Sequence, residues 1–430
     1  FGIFYGKGLD LELRPGPAMT FNGKIFANGN IYIAASNSLQ IDQSVRAAGN
    51  IYRKIKSEAA DPNGPATPPQ IADAQGTLQA LNFDHDFKPG FTERWASPSD
   101  WAKAVMDKFG GQVQDSANGV EPLTPPVGPD LFNPNVANPD ALAHQMIEIA
   151  KPSDSAALKD AKLFNQAGLR IIDRADGSPL EITDQNGNTV NLPKDAVTTT
   201  SFYDARDRKT ANVIEVDVSK LKQLANSHGP LAIGILYVAS KASPSSSTFP
   251  PVRLVKGSNL PKDGLTVASQ NPVYIAGNYN TDNGTYPNRP PAAVLADAVT
   301  ILSENWMLQN YDTKGAATFQ SRPAADTTVN AAIATGPSSE STLNADNGKA
   351  NNLVRLLEDW AGKTFAYSGS MVALWHSQQV NGPWKCCGSS SEYYYGPPNR
   401  VWGYDTLFDA NPPPGTPSGI IMMKGSWSQS

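Results

Sequence analysis

The rhythm of the first 55 residues restricts this chain more than any other feature. Short β-type runs follow one another: Met19-Thr20-Phe21, Lys24-Ile25-Phe26, Asn30-Ile31-Tyr32-Ile33, Leu39-Gln40-Ile41, Ser44-Val45-Arg46 and Asn50-Ile51-Tyr52. Asn22-Gly23, Asn28-Gly29 and Gly49 punctuate them. Asn-Gly marks a turn because both residues tolerate positive φ. A meander of hairpins and a β-solenoid both fit this pattern. The runs are too short for full hairpin arms, so the reading adopted is a β-solenoid, each short strand bending at Gly or Asn and stacking on the next.

The same rhythm returns at Val252-Arg253-Leu254-Val255, Leu265-Thr266-Val267-Ala268, Val273-Tyr274-Ile275-Ala276 and Val299-Thr300-Ile301-Leu302. The expected fold class is therefore mainly β, with a β-solenoid-like core built from 1–55 and 252–380. Residues 56–251 read as an α+β insertion, with helices near 98–109, 138–150 and 153–167 and strands over 169–238. Asn138 before Pro139 is a cap-plus-first-turn pair. Leu353, Leu356, Leu357 and Trp360 recur at i, i+3, i+4, i+7 and predict a helix over 350–361. Residues 381–430 are rich in Pro and aromatics and read as an extended wrapping tail.

Composition narrows the function. Charged residues are 17% of the 430, and the net charge is −5. Nucleic acid and anionic membranes both require a basic footprint, so neither is an expected partner. No apolar stretch approaches the ~18 residues of a membrane span. The chain opens Phe1-Gly2-Ile3-Phe4-Tyr5, which reads as a strand rather than a signal peptide, and suggests that an upstream segment lies outside these residues.

Candidate chemistry is sparse. The two cysteines, Cys386 and Cys387, are adjacent and exclude a disulfide scaffold. They could close a vicinal ring, bridge to another subunit or stand as separate thiols. Asn278, Asn280 and Asp282 have the alternation of a Ca²⁺ loop, but the distal Glu is missing. Asp184, Asn186 and Asn188 share that spacing, and turn chemistry explains both sets. No other cofactor is expected. Asp204-Ala205-Arg206-Asp207-Arg208 and Glu358-Asp359 are the densest acid–base candidates; the first reads more simply as a solvated turn or an ion-paired strand end, the second as the polar face of the 350–361 helix. Trp384, Tyr393, Tyr394, Tyr395, Trp402, Tyr404 and Trp427 form an aromatic cluster that is either a binding surface or a staple to the core.

Several stretches resemble one family. They are Leu9-Asp10-Leu11-Glu12-Leu13-Arg14-Pro15-Gly16-Pro17, Asn271-Pro272-Val273-Tyr274-Ile275-Ala276-Gly277-Asn278, Ala296-Asp297-Ala298-Val299-Thr300-Ile301-Leu302 and Pro397-Pro398-Asn399-Arg400-Val401-Trp402-Gly403-Tyr404. Together they resemble bacterial type IV pilus-assembly proteins of minor-pilin-like type. The pilin-type hydrophobic helix expected of such proteins is not in this sequence. The resemblance implies a non-enzymatic structural protein, extracellular or on the bacterial surface, associated with a pilus or surface filament. Its partners would be copies of itself or pilin-like proteins. A surface adhesin or glycan-binding module is the alternative, and a polysaccharide-cleaving β-helix enzyme the second.

Overall fold

The structure is a computed structural model that describes residues 1–6, 9–53, 56, 67–82, 98–127, 131–133, 136, 138–227, 234–282, 288–338, 349–350, 353–382, 386 and 393–417. It is mainly β, with several mostly parallel sheets. The largest has eleven strands, in spatial order Val113–Gln114, Val45–Ala47, Ile25–Ala27, Ile3–Tyr5, Met371–Ala373, Ala332–Thr335, Ala292–Ala296, Leu265–Ser269, Ile235–Ser240, Leu169–Asp173 and Glu181–Asp184. Ile3 pairs with Met371 on one side and Ile25 on the other, both in parallel. Early and late strands thus meet in this sheet, whereas Ile31, Val273 and Val299 lie in other sheets.

A second sheet orders Leu78–Ala80, Gln70–Ala72, Leu39–Ile41, Met19–Asn22, Asn399–Tyr404, Thr364–Gly369 and Thr327–Asn330. A third runs Val197–Asp204, Lys209–Asp217, Val252–Val255, Val273–Ala276, Val299–Leu302 and Val354–Leu356. Leu11–Leu13, Ile31–Ile33 and Ile51–Tyr52 make a small fourth. In the N-terminal part the register advances by twenty residues per strand, as in Leu11↔Ile31↔Ile51, Met19↔Leu39 and Ile25↔Val45.

Strands of 169–240 extend the largest sheet and those of 197–217 extend the third, so the pairing runs through the boundaries that composition places around 56–251. At one edge of each of these three large sheets the outermost pair reverses direction: Leu169–Asp173 with Glu181–Asp184, Gln70–Ala72 with Leu78–Ala80, and Val197–Asp204 with Lys209–Asp217 are antiparallel, while the pair at the opposite edge stays parallel.

The largest sheet separates two apolar clusters, and alternation along each strand decides which side a residue joins. Ile3 and Tyr5 face one cluster and Phe4 the other; Leu236 and Val238 face one, Ile235, Tyr237 and Ala239 the other. Burial on both faces explains why Ile235–Ser240 reads as a continuous apolar run.

The helices follow their local signals with differences at their ends. Pro98–Phe109 forms as expected and buries Trp101, Val105 and Phe109. Asn138 caps Pro139–His144 by accepting from the Ala141 amide, but the α-helix then tightens to a 3₁₀ turn over Gln145–Ile147. The helix expected over 153–167 breaks into Ala156–Ala161 and Leu163–Gln166. Lys162 between them is extended, and its buried ammonium pairs with Asp154 at 2.7 Å.

The helix expected over 350–361 does not form. Val354–Leu356 is a strand parallel to Val299–Leu302. Leu353, Leu356, Leu357 and Trp360 are all buried, yet so are Arg355 and Glu358, the latter read as lying on the helix's polar face. Burial on every side removes the amphipathicity on which that reading rested.

The segment read as a wrapping tail contains a full strand. Asn399–Tyr404 lies inside the second sheet, between Thr364–Gly369 and Met19–Asn22. Beyond it come a 3₁₀ turn over Thr406–Asp409 and a proline-rich stretch whose Pro414 carbonyl accepts from the Thr266 hydroxyl at 2.6 Å.

Candidate binding groove

Parallel register sets Asp217, Val255 and Ala276 side by side where three strands of the third sheet end. The chain leaves these ends through Lys256 (φ 53°) and Gly277 (φ 83°), both left-handed. A groove of about 770 Å³ opens there, lined also by Asp195, Thr198, Glu215, Ser258, Asn278, Asp282 and Glu304, with Met307 and Leu308.

Protein cations hold two of its carboxylates. Lys256 donates to Asp217 at 2.8 Å, and the Ser219 hydroxyl adds a bond at 2.6 Å. Burial raises the Asp217 pKa, but these donors outweigh it and keep the group below the usual carboxylate range. Arg253 forks between Glu215 (2.7 Å) and Asp312 (2.6 and 2.9 Å). The groove therefore offers fixed charge, hydroxyls and an amide, a lining suited to binding a polar ligand.

The acid–base candidates lie elsewhere, in the interior. Glu358 is fully buried and accepts from the Ser303 amide and hydroxyl, both at 2.6 Å. Burial pushes its pKa up to about 7 against those bonds. That value suits a general acid, but a general acid must reach its substrate. Asp204 accepts from the Tyr274 hydroxyl (2.5 Å) and from the Arg206 amide. Asp207 pairs with Arg355 and accepts from the Gly382 amide at 2.6 Å. Asp204, Arg206 and Arg355 are buried, so this run is an internal ion-paired strand end and not a solvated turn. A second internal set joins His144 to Asp297 and Glu148, each at 3.1 Å, with the Ser377 hydroxyl on Asp297 at 2.5 Å.

Of the residues singled out by spacing, Asn278 and Asp282 line the groove, while Asn280 is buried beside it. Asn278 Oδ1 accepts from the Thr328 amide, and buried Asn280 donates to the Pro290 and Asn330 carbonyls. Asp282 accepts from its neighbour Thr281. Asp184 takes the amides of Asn186 and Asn188 as a side-chain-closed turn. Among the described residues no group of three or more His, Cys, Asp or Glu is placed to hold a metal.

The aromatic cluster divides too. Tyr394 and Tyr395 are buried and stack at 5.9 Å, and Trp402 is buried against Phe365 and Tyr367. These rings are core and not surface. Tyr393 is half-buried. Tyr404 donates to Asp409 at 2.7 Å and lines a separate apolar groove of about 320 Å³ with Phe1, Leu295, Val372 and Pro412 to Pro417. Cys386 is disulfide-bonded. Trp384, Cys387 and Trp427 lie outside the described residues.

Sequence reasoning missed Asp217, Lys256, Glu215 and Arg253. The one local signal for them is the alternation of charge with apolar residues in Val213-Ile214-Glu215-Val216-Asp217, which marks a strand with one polar face.

No family model matches this chain, and no curated protein matches it at a significant level. Among solved structures it is similar to the competence-associated pilin ComZ from Thermus thermophilus, at 12% identity and a TM-score of 0.37, over 98% of this chain and 73% of that one. A likeness of that size carries no functional argument.

Proposed function

We propose that this chain is a non-enzymatic, extracellular structural protein of β-solenoid architecture, a subunit associated with a bacterial pilus or other surface filament. The observation that carries the reading is the strand order: ten strands of the largest sheet, from Val113–Gln114 to Leu169–Asp173, pair in parallel, and the Glu181–Asp184 edge alone turns antiparallel. Such a body is a stiff element that attaches through its sides, to copies of itself or to pilin-like partners. The resemblance of its sequence stretches to minor-pilin-like proteins supports the filament, and the disulfide at Cys386 supports an oxidising compartment. Glu358, whose carboxyl burial pushes up to about 7, is enclosed, which favours structure over catalysis.

Immunogold imaging of the native assembly tests the proposal: the label should decorate surface filaments. Label confined to the cell interior, or cleavage of a polysaccharide by the purified chain, would overturn it. The polar groove at Asp217 and Lys256 favours one second reading, a glycan-binding module, for which glycan-array binding lost on Asp217→Ala is the test.

A further inference from the structure

Sheet edges expose unpaired backbone groups, and folded proteins keep such edges short, charged or covered. The edge strands here are short: Val113–Gln114, Leu78–Ala80 and Val354–Leu356 have two or three residues, and Glu181–Asp184 and Thr327–Asn330 have four. The last two are also partly covered. Val190 donates to the Ile182 carbonyl at 3.0 Å, and Tyr279 bridges to Val329.

Val197–Asp204 is different. It has eight residues, Val-Thr-Thr-Thr-Ser-Phe-Tyr-Asp, with no Lys, Pro or Gly, and its single charge is at the far end. It pairs on one side alone, with Lys209–Asp217. The Asp217 amide donates to the Ala196 carbonyl, which fixes the phase of the ladder. In an antiparallel pair hydrogen-bonded positions alternate, so Thr198, Thr200 and Phe202 face the partner strand while Val197, Thr199, Ser201 and Tyr203 turn their backbone outward. Gly315 covers Tyr203: a Cβ there would lie 2.2 Å from the Tyr203 carbonyl oxygen. Among the described residues no hydrogen bond reaches the outward backbone groups of Val197, Thr199 or Ser201.

We infer that the segment Val197 to Ser201 is a strand-addition edge, and that its occupant is the same segment of a second copy, antiparallel, with Thr199 opposite Thr199. The choice of a second copy rests on self-complementarity. Outward groups at 197, 199 and 201 meet those at 201, 199 and 197 of a two-fold mate, which is the isologous geometry of a symmetric dimer. An uncharged Thr/Ser/Val edge sets no like charges against each other in that arrangement. The inference rests on the structural-subunit reading, whose lateral contact it names.

Sedimentation velocity of the whole chain over a wide concentration range tests it, with Thr199→Lys and Thr199→Pro compared. The substituted side chain is exposed and its N–H faces outward, so the sheet keeps its hydrogen bonds. Wild type should show a two-copy species that grows with concentration. Lysine would face lysine and proline would remove a donor, so each variant should weaken association at least tenfold at an unchanged melting temperature. If one variant melts early, the other carries the comparison. A wild type that stays monomeric at millimolar concentration, or variants that dimerise as it does, would overturn the inference. Filament labelling is a separate readout, so a monomer that still decorates filaments fails this inference and not the function.

Discussion

The side-chain oxygen of Asn30 accepts a 2.9 Å hydrogen bond from the backbone nitrogen of Asn50. Asp10 does the same for the Asn30 amide at 2.8 Å, and Asn50 Oδ1 accepts from the Ser116 hydroxyl at 2.7 Å. Asp10 and Asn30 thus each hold the backbone amide of the asparagine twenty residues on, and Asn50 ends the series on a side chain. Tyr32 and Tyr52 stack beside it with centroids 5.2 Å apart. The glycines that precede the asparagines make the approach possible. A Cβ on Gly49 would lie 2.5 Å from Asn30 Oδ1 and 2.8 Å from the Gly29 carbonyl oxygen.

Two substitutions separate these contributions. Asn30→Ala removes one acceptor from a half-buried amide and should cost about 1 kcal/mol. Gly49→Ala forces the layers apart and should cost more, in the ~1–3 kcal/mol range of overpacking. Urea unfolding of both variants checks the order; an Asn30→Ala effect larger than that of Gly49→Ala would contradict it.

Stability should also fall toward alkaline pH through His144. Burial lowers its pKa, but bonds to Asp297 and Glu148 outweigh that and push it up to about 9. A folded pKa above the unfolded one means a contribution fully present below about 6.5 and lost as pH rises through about 9. The size is on the order of 3 kcal/mol. His144→Gln should flatten the stability profile between pH 6.5 and 9, measured by urea unfolding at stepped pH. An unchanged slope would show that the imidazole is not the titrating group.

Much of the fold was legible, for reasons that particular residues make plain. Val252–Val255, Val273–Ala276 and Val299–Leu302 combine β-branched residues with flanking turn signals, and Asn138-Pro139 states a helix start locally. The segment around Val354 was not legible, because its spacing fits a helix while its pairing comes from Val299, far away in sequence. Gly29-Asn30-Ile31-Tyr32 and Gly49-Asn50-Ile51-Tyr52 held a further signal: comparison of the chain with itself at a fixed period exposes the twenty-residue layer. The groove was legible in part: the alternation of Asn278 and Asp282 marks two of its lining residues, but Asp217 comes beside Val255 and Ala276 through sheet register, which nothing local announces. An aromatic count cannot tell a buried Trp402 from an exposed one.

Arg253 should tolerate no replacement. Its guanidinium is buried, holds Glu215 and Asp312, and lies 5.7 Å from the Phe202 ring centre. The Trp306 indole also donates to Asp312 at 2.7 Å. Lysine keeps the charge but cannot fork between two carboxylates. Arg253→Met leaves both without a cation and should cost about 3–5 kcal/mol, the range for breaking a buried pair. Arg253→Lys should fall between Arg253→Met and wild type in chemical denaturation. A lysine variant as stable as wild type would mean that the fork contributes nothing beyond charge.

The last strand should be indispensable, whereas the stretch after it should not be. Asn399–Tyr404 lies between Thr364–Gly369 and Met19–Asn22, so it joins the late part of the second sheet to the early part. Trp402 anchors it, buried against Phe365 at 5.5 Å and Tyr367 at 6.0 Å. A chain ending at residue 392 loses every backbone bond on both sides of this strand and exposes the faces of its two neighbours. It should fail to fold cooperatively. A chain ending at residue 411 keeps the strand and gives up the Pro414 contact to Thr266, so it should melt cooperatively at a modestly lower temperature. Trp402→Ala isolates the packing term and should cost about 3–5 kcal/mol. Calorimetry of the three chains decides the matter. Equal melting of the 392-residue chain and wild type would show that the sheet closes without this strand, and that its aromatic residues serve a surface after all.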